Sequence, residues 1–208
     1  LVDLVTGKPS TQAGSTRTST DVGTAGLERR ANTVSSTSYE TLALPPWPAL
    51  NSNSKITLWS RSMQRVFVGS STTLTRTFFG VNGNGWIGIE QGLSTGSRAI
   101  CSVGANRQTG DVAQGLNTPF DGFAWHDGTV LRYEANGVAA SDAASSTASI
   151  AAGVWSVQFG NNVVSASPGD ISTYVGGAWL RLLSATERKL LRDDPYCLIK
   201  RRIWVPVS

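Results

Sequence analysis

The stretch "TVLRYEANGVAA", residues 129–140, alternates strictly: Leu131, Tyr133 and Ala135 fall on one side, and Val130, Arg132 and Glu134 on the other. A period of two is the pattern of a half-buried β-strand, whose successive side chains leave opposite faces. Asn136-Gly137 follows, a dipeptide that tolerates the positive φ angles of a tight hairpin, so the chain is expected to turn back on itself here.

The same pattern extends outward in both directions. From Lys55 onward short alternating runs are separated by Gly and Asn: "KITLWSR" sets Ile56 and Leu58 against Trp59, and "QRVFVG", "TRTFFG", "GWIGIEQ" and "SRAICSV" follow at short intervals. Asn82-Gly83 and Asn84-Gly85 mark another tight turn, leading into Trp86. Downstream, "GVWSVQFG" and "YVGGAWLRLL" alternate again, giving about eight to twelve strands at the spacing of a β-sandwich. Before Lys55 the pattern is weaker. "DLVTGK" reads as an edge strand, "TSYETLALPPWP" as a strand stopped by its prolines, and the Ala/Ser stretch 139–152 as loop plus strand.

One helix is expected. Ser184 and Glu187 form a capping box, in which the Ser hydroxyl accepts from the Glu amide and the Glu carboxylate accepts from the Ser amide. Leu190 and Leu191 supply an apolar flank, Arg188, Lys189 and Arg192 suit the C-terminal half of the dipole, and Pro195 stops propagation. A helix this short is marginal alone, so its flank, with Leu183, must rest on something, and the strand "GAWLRLL" is the expected support.

Composition bounds the rest. The 208 residues are 40% apolar and 15% charged, with 22 Gly, which suits an ordered all-β domain spanning residues 1–208 with a less regular segment at 1–36 and a basic, Trp-bearing tail at 195–208. No run is long and apolar enough for a membrane helix, and the first residues carry no export pattern. Between Arg181 and Ser208 seven basic residues stand against three acidic ones, a difference equal to the net charge of +4 of the whole chain. Such a concentration reads as a solvated helix face and tail, or as a tail docking on an acidic neighbour, rather than as the spread basic face of a nucleic-acid binder. Two cysteines, Cys101 and Cys197, rule out a disulfide framework; the sequence leaves a single bridge between them open, with two reduced thiols the favoured reading.

With these residues on the page a resemblance can be stated. "FAWHDGTVLRYEANGVAA", "WSVQFG" and "GAWLRLLSATERKLLRDDPY" are similar to the second half of a laminin-G-like, concanavalin A-like jelly roll. The close, "DPYCLIKRRIWVPVS", resembles members of that family found in tailed bacteriophages. The resemblance implies an all-β fold, an antiparallel sandwich of two stacked sheets with one short helix near 184–193. It also implies binding of glycans, proteins or calcium by the concave face or rim loops. On this basis the expected role is a non-enzymatic structural or attachment component of a virion, assembled in the bacterial cytoplasm and touching other virion proteins or copies of itself. The alternative is a lectin module holding a host-surface glycan.

Catalytic patterns are sparse. None of the five Glu belongs to the Glu-x-Asp-x-x-Glu strand of the glucanases that share the fold, and a retaining mechanism needs two carboxyl groups about 5 Å apart. "GLSTG", residues 92–96, has the form of a nucleophile elbow around Ser94, and His126 is the chain's only imidazole. An elbow needs a helix after it, however, and "SRAICSV" reads as a strand, so a serine hydrolase is the remote alternative. No metal site is expected and no cofactor, although calcium could use Asp121, Asp127 and Asp170, whose plainer reading is turn chemistry. The expected ligand-binding residues are Trp86, Asn82, Asn84, His126 and Asp127, since an indole face stacks on a sugar ring and amides pair with hydroxyls. Lys200, Arg201, Arg202 and Trp204 are the expected partner contacts, with no nucleic acid and no membrane among the partners.

Overall fold

In the computed structural model the residues described are 11–13, 20–23, 26–31, 39–43, 55–64, 77–83, 85–91, 96–103, 105–141, 144–145, 156–159, 171–195 and 197. Along the chain these give β1 (Thr11–Ala13), β2 (Thr20–Gly23), β3 (Gly26–Ala31), β4 (Tyr39–Ala43), β5 (Ile56–Gln64), β6 (Thr77–Gly83), β7 (Gly85–Gln91) and β8 (Gly96–Val103). They continue with β9 (Ala105–Gln108), β10 (Val112–Ala113), β11 (Pro119–His126), β12 (Val130–Ala135), β13 (Val138–Ala139), β14 (Ala144–Ser145), β15 (Ser156–Phe159), β16 (Ile171–Trp179) and α1 (Ala185–Asp193).

The strands form two antiparallel sheets. The front sheet runs β1-β4-β15-β6-β7-β8-β10 with β9 also paired to β8, and the back sheet runs β13-β12-β11-β5-β16-β3-β2 with β14 paired to β12. The hairpin expected from residues 129–140 is present: Ala135 pairs with Val138, and Asn136 and Gly137 take φ of 51° and 83°. Positive φ is cheap for Gly and tolerable for Asn, which is why this dipeptide makes the turn. The chain is thus an antiparallel β-sandwich of jelly-roll type with one short helix.

Parity decides what lies between the sheets. Leu42, Val157, Val81, Ile87 and Cys101 are neighbours in register on successive strands of the front sheet, an apolar row on one face. On the back sheet Ile56, Leu58, Phe120, Ala124, Leu131 and Tyr133 share a face and are buried. These faces meet. A methyl group on Gly122 would lie 3.2 Å from the Ile89 side chain and 2.8 Å from the Tyr133 hydroxyl, so only a residue without Cβ lets the sheets approach this closely. The Tyr133 and Ser97 hydroxyls share a 2.6 Å hydrogen bond from one sheet to the other, and burial pushes the phenol's pKa upward, so it stays neutral. Each fully buried Ile, Leu or Phe of this layer contributes about 1.5–3 kcal/mol.

The outer face of the back sheet carries a second apolar cluster. Trp59, Phe123, Leu183 and Leu191 pack there with Trp125, Val175, Trp179 and Cys197, so α1 lies on this face. Trp59 stacks on Phe123 at 6.2 Å, and its Nε1 donates to Asp121 Oδ1 at 3.1 Å. Thr57 ties the helix approach to the sheet, since its hydroxyl donates to the Arg181 carbonyl (2.8 Å) and accepts from the Leu183 amide (3.1 Å). Glu134 sits beneath the helix with Arg192 at 2.9 Å and Arg188 at 3.2 Å, and the Arg188 guanidinium lies 4.5 Å from the Trp125 ring centre.

Several expectations meet particular outcomes here. The capping box is complete, and helix support comes from β5 and β11 as well as from Trp179 of the preceding strand. Of the two flank leucines only Leu191 packs inward at 4% exposure, whereas Leu190 is 55% exposed. The basic helix face is neither merely solvated nor free for a partner, because Arg188 and Arg192 are engaged by Glu134, and only Lys189 pairs at the surface, with Asp193. Residues 1–36, which show little pattern in sequence, supply β1, β2 and β3 to both sheets. The edge strand read in "DLVTGK" lies outside the described residues. Cys101 is buried in the inter-sheet layer and Cys197 lies on the helix side of the back sheet, and the two are not bridged to each other.

Two measurements follow. Leu191→Ala should lower unfolding free energy in urea by about 2–4 kcal/mol, whereas Leu190→Ala should change it by less than about 0.5 kcal/mol; equal costs would mean the helix is docked differently. The Arg181 guanidinium and the Ser184 amide and hydroxyl hold the Glu187 carboxyl down to about 2. Because that pKa is depressed from 4.5, the cap's contribution is complete above that pH and is lost as pH falls towards 2. Acid titration should therefore show stability declining across this window in the parent and a flatter profile in Glu187→Gln.

A candidate ligand-binding face

The two faces of the front sheet differ sharply. One step along each strand from the apolar inner row lies an outer row in continuous register: Ala43, Ser156, Asn82, Trp86, Ser102 and Asn106, carried by β4, β15, β6, β7, β8 and β9. Beside it runs a second outer row, Thr41, Gln158, Gly80, Gly88, Ile100 and Gln108. By residue type the first row is made of hydroxyls and amides with Ala43 and Trp86, whereas the described residues of the same parity on β7 and β8, Gly88, Glu90, Arg98 and Ile100, are buried. Trp86 is the aromatic of the first row, and the second row has two adjacent positions, Gly80 and Gly88, with no side chain at all. Opposed residues on neighbouring strands lie about 4.5–5.5 Å apart, within reach of one common ligand.

Further along the same face stands an ion pair. Arg98 Nε donates to Glu90 Oε1 at 2.8 Å, the two residues are cross-strand partners, and Asp111 lies 3.9 Å from the Arg98 guanidinium. Glu90 is 0% and Arg98 4% exposed, and Ile100 of the second row is 2% exposed. This end of the face is therefore closed to water, and the pair acts as a fixed, internally compensated charge rather than as a docking group. Thr109 secures the adjoining edge, its amide donating to the Ala99 carbonyl and its hydroxyl accepting from the Ala99 amide.

Of the residues singled out in the sequence, the register brings two together: Asn82 and Trp86 are direct partners across the β6–β7 hairpin. Asn84 lies between Gly83 and Gly85 in the connection, outside the described residues. His126 and Asp127 belong to the other sheet, at the end of β11, where they build the turn into β12. The His126 ring accepts the Gly128 amide proton at Nδ1 (3.0 Å), and Asp127 Oδ1 accepts from the Thr129 amide and hydroxyl and from the Val130 amide. Partial burial pushes the Asp127 carboxyl up, but those hydrogen bonds, with the neighbouring His126, outweigh it and leave the group below the usual range.

Asp121, read as a loop residue that could serve calcium, lies instead in β11, bound to Trp59 and to Arg61 at 3.3 Å; desolvation outweighs Arg61, Trp59 and Arg192 and raises its pKa. Asp170 lies outside the described residues, as do Ser94, Lys200, Arg201, Arg202 and Trp204. The strand β8 begins at Gly96, so the "GLSTG" stretch leads into a strand and not the helix that an elbow requires. Among the described residues no three His, Cys, Asp or Glu side chains are grouped to hold a metal ion, and no helix is long and apolar enough to cross a membrane. Sequence reading missed Ser102, Asn106, Ser156 and the Gly80–Gly88 pair, for only strand pairing makes them neighbours.

Comparison with protein families and with curated proteins finds no match to this chain. Solved structures do share its fold. The botulinum neurotoxin serotype G binding domain superposes with a TM-score of 0.65 at 11% identity, covering 92% of this chain and 48% of that one. Domain 4 of the Geobacillus stearothermophilus arabinanase AbnA, in complex with arabinotriose, gives 0.58 at 17% identity and covers 88% and 87%. Trypanosoma rangeli sialidase gives 0.54 at 12% identity, with 81% of this chain matching 28% of the enzyme. The chain thus spans about a quarter of the sialidase and about half of the toxin domain. At these identities what is shared is the β-sandwich.

The buried pair makes its own prediction. Arg98→Met should cost about 3–5 kcal/mol by leaving Glu90 uncompensated, and Glu90→Leu added to it should recover most of that loss. Urea unfolding of the three variants against the parent measures both effects, and no recovery in the double variant would show that Glu90 and Arg98 do not act as a pair.

Proposed function

We propose that this chain is a non-catalytic carbohydrate-binding module whose ligand lies on the outer face of the front sheet, over the row that contains Asn82 and Trp86. The observation that carries the reading is the cross-strand juxtaposition of an aromatic, amides and hydroxyls in one register row, one step along the strands from the apolar row Leu42, Val157, Val81, Ile87 and Cys101. Sugars present an apolar ring face and a rim of hydroxyls, so an indole stacks on the one while amide and hydroxyl groups pair with the other. The other outer surface of the sandwich is taken by α1 and its aromatic cluster. Similarity in fold to an arabinanase domain in complex with arabinotriose, and to a neurotoxin binding domain, accords with a binding rather than a catalytic role.

The described carboxylates support the non-catalytic reading. Glu90 is buried against Arg98, Glu134 lies under the helix and Glu187 caps it, so each has a structural partner. His126 serves its own turn. The rival reading, a component of a tailed-phage particle, draws on the tail sequence 195–208, nearly all of it outside the described residues, and none of the similar structures named above is a phage protein. Glycan binding has the stronger physical support.

Screening the protein on a glycan array, followed by calorimetry on the best ligand, tests this directly. Trp86→Ala should weaken binding at least about tenfold, a loss of roughly 1.4 kcal/mol, with an unchanged far-ultraviolet spectrum. Retention of full affinity by that folded variant would remove the outer row from the site.

A further inference from the structure

We infer that Glu134 is a charge key that selects how helix α1 is rolled against the back sheet, and that a second seat, turned by one residue, is open to the helix once that charge is removed. Leu190 and Leu191 are neighbours in the helix, yet Leu191 is 4% exposed and Leu190 is 55% exposed. Successive residues of a helix point about 100° apart. A roll of that size would set Leu190 where Leu191 now lies, Glu187 where Arg188 lies and Leu191 where Arg192 lies. The helix would then turn two leucines towards the aromatic cluster in place of one, so burial of apolar surface does not select the observed seat. The Thr57 hydroxyl holds the Arg181 carbonyl at 2.8 Å and the Leu183 amide at 3.1 Å, both ahead of the helix, which leaves the entry to α1 as a pivot in either seat.

Charge selects it instead. Asp121 of β11 is held by Trp59 Nε1 and by Arg61 of β5, whose guanidinium also reaches the Arg192 carbonyl at 3.5 Å. Glu134 of β12 takes its cations from the helix, Arg192 at 2.9 Å on one carboxylate oxygen and Arg188 at 3.2 Å on the other. Arg188 also donates to the Leu183 carbonyl at 2.7 Å and lies over the Trp125 ring, and the Arg192 guanidinium carbon would stand 3.4 Å from a methyl group on Gly137. In the rolled seat the same carboxylate would face Glu187 and a leucine, a like charge and no donor. A buried carboxylate stripped of its partners is strongly destabilising, so ionised Glu134 keeps the helix in the observed seat. With a neutral amide in its place that penalty is gone, while the gain from burying Leu190 remains. The basic face of α1 is then concealed rather than fixed, and it turns outward when Glu134 releases it.

The test is solution NMR of the intact chain with methyl-labelled leucine and a soluble paramagnetic probe, which broadens each methyl signal according to its exposure. In the parent the Leu190 methyls should be broadened several-fold more than those of Leu191. In Glu134→Gln, with an unchanged far-ultraviolet spectrum, Leu190 should become shielded and the ratio should fall to near one or invert. Glu134→Arg, which favours Glu187 in the place of Arg188, should shield Leu190 as well and carries the same reading if Glu134→Gln does not fold. The reversed network, Glu134→Arg with Arg188→Glu and Arg192→Glu, should return Leu190 to the probe. Leu190 as exposed in the folded single variants as in the parent overturns the inference, since packing alone would then set the seat. Loss of the fold in both single variants overturns it too, for no second seat would then exist.

Discussion

Ile89 rests over Gly122, and Tyr133 reaches from one sheet to Ser97 of the other; this contact fixes which way every strand faces. Because side chains alternate, one inward residue on each strand determines the whole strand. Once Ile87 and Ile89 turn inward, Trp86 and Glu90 must belong to the outer face, and the register carries that assignment to Asn82, Ser102, Asn106 and Ser156. A larger residue at position 122 would press on both Tyr133 and Ile89, so the proximity of the layers and the identity of the outer face depend on the same glycine.

The sandwich then has two outer faces, and the chain treats them differently. On the back sheet Trp59, Phe123, Trp125 and Trp179 would leave a broad aromatic surface in water, and the helix covers it with Leu183 and Leu191. A capping box and the ties from Thr57 and Glu134 hold that short helix in place. On the front sheet the register sets Trp86 among Asn82, Ser102, Asn106 and Ser156, and Glu90, Arg98 and Ile100 farther along the same face are buried.

Much of the fold was legible in the sequence because it is written in short-range signals. Alternation over residues 129–135, Asn136-Gly137 and the Ser184–Glu187 box each act within a few residues, and each element stands where those signals put it. Partition between the two leucines of the helix was not legible, since it depends on the angle at which α1 meets Trp59 and Phe123. Nor was the role of Arg188 and Arg192, which look like surface charges until Glu134 is brought beneath them by strand pairing. Trp86 and Asn82 were visible as a turn-flanking pair, but β15 meets β6 only through a long-range pairing, so Ser156 carried no local sign of belonging with them. His126 and Asp127 show the reverse: a suggestive dipeptide whose polar atoms serve its own turn.

The proposal that a glycan binds on the front sheet is most directly tested by backbone amide NMR during titration with the best ligand from the glycan array. The account predicts that shifts concentrate on β15, β6, β7 and β8, around Ser156, Asn82, Trp86 and Ser102, while amides of β5, β11 and α1 stay within experimental scatter. Shifts centred instead on the Asp127–Thr129 turn or on α1, with the Trp86 region unmoved, would contradict it.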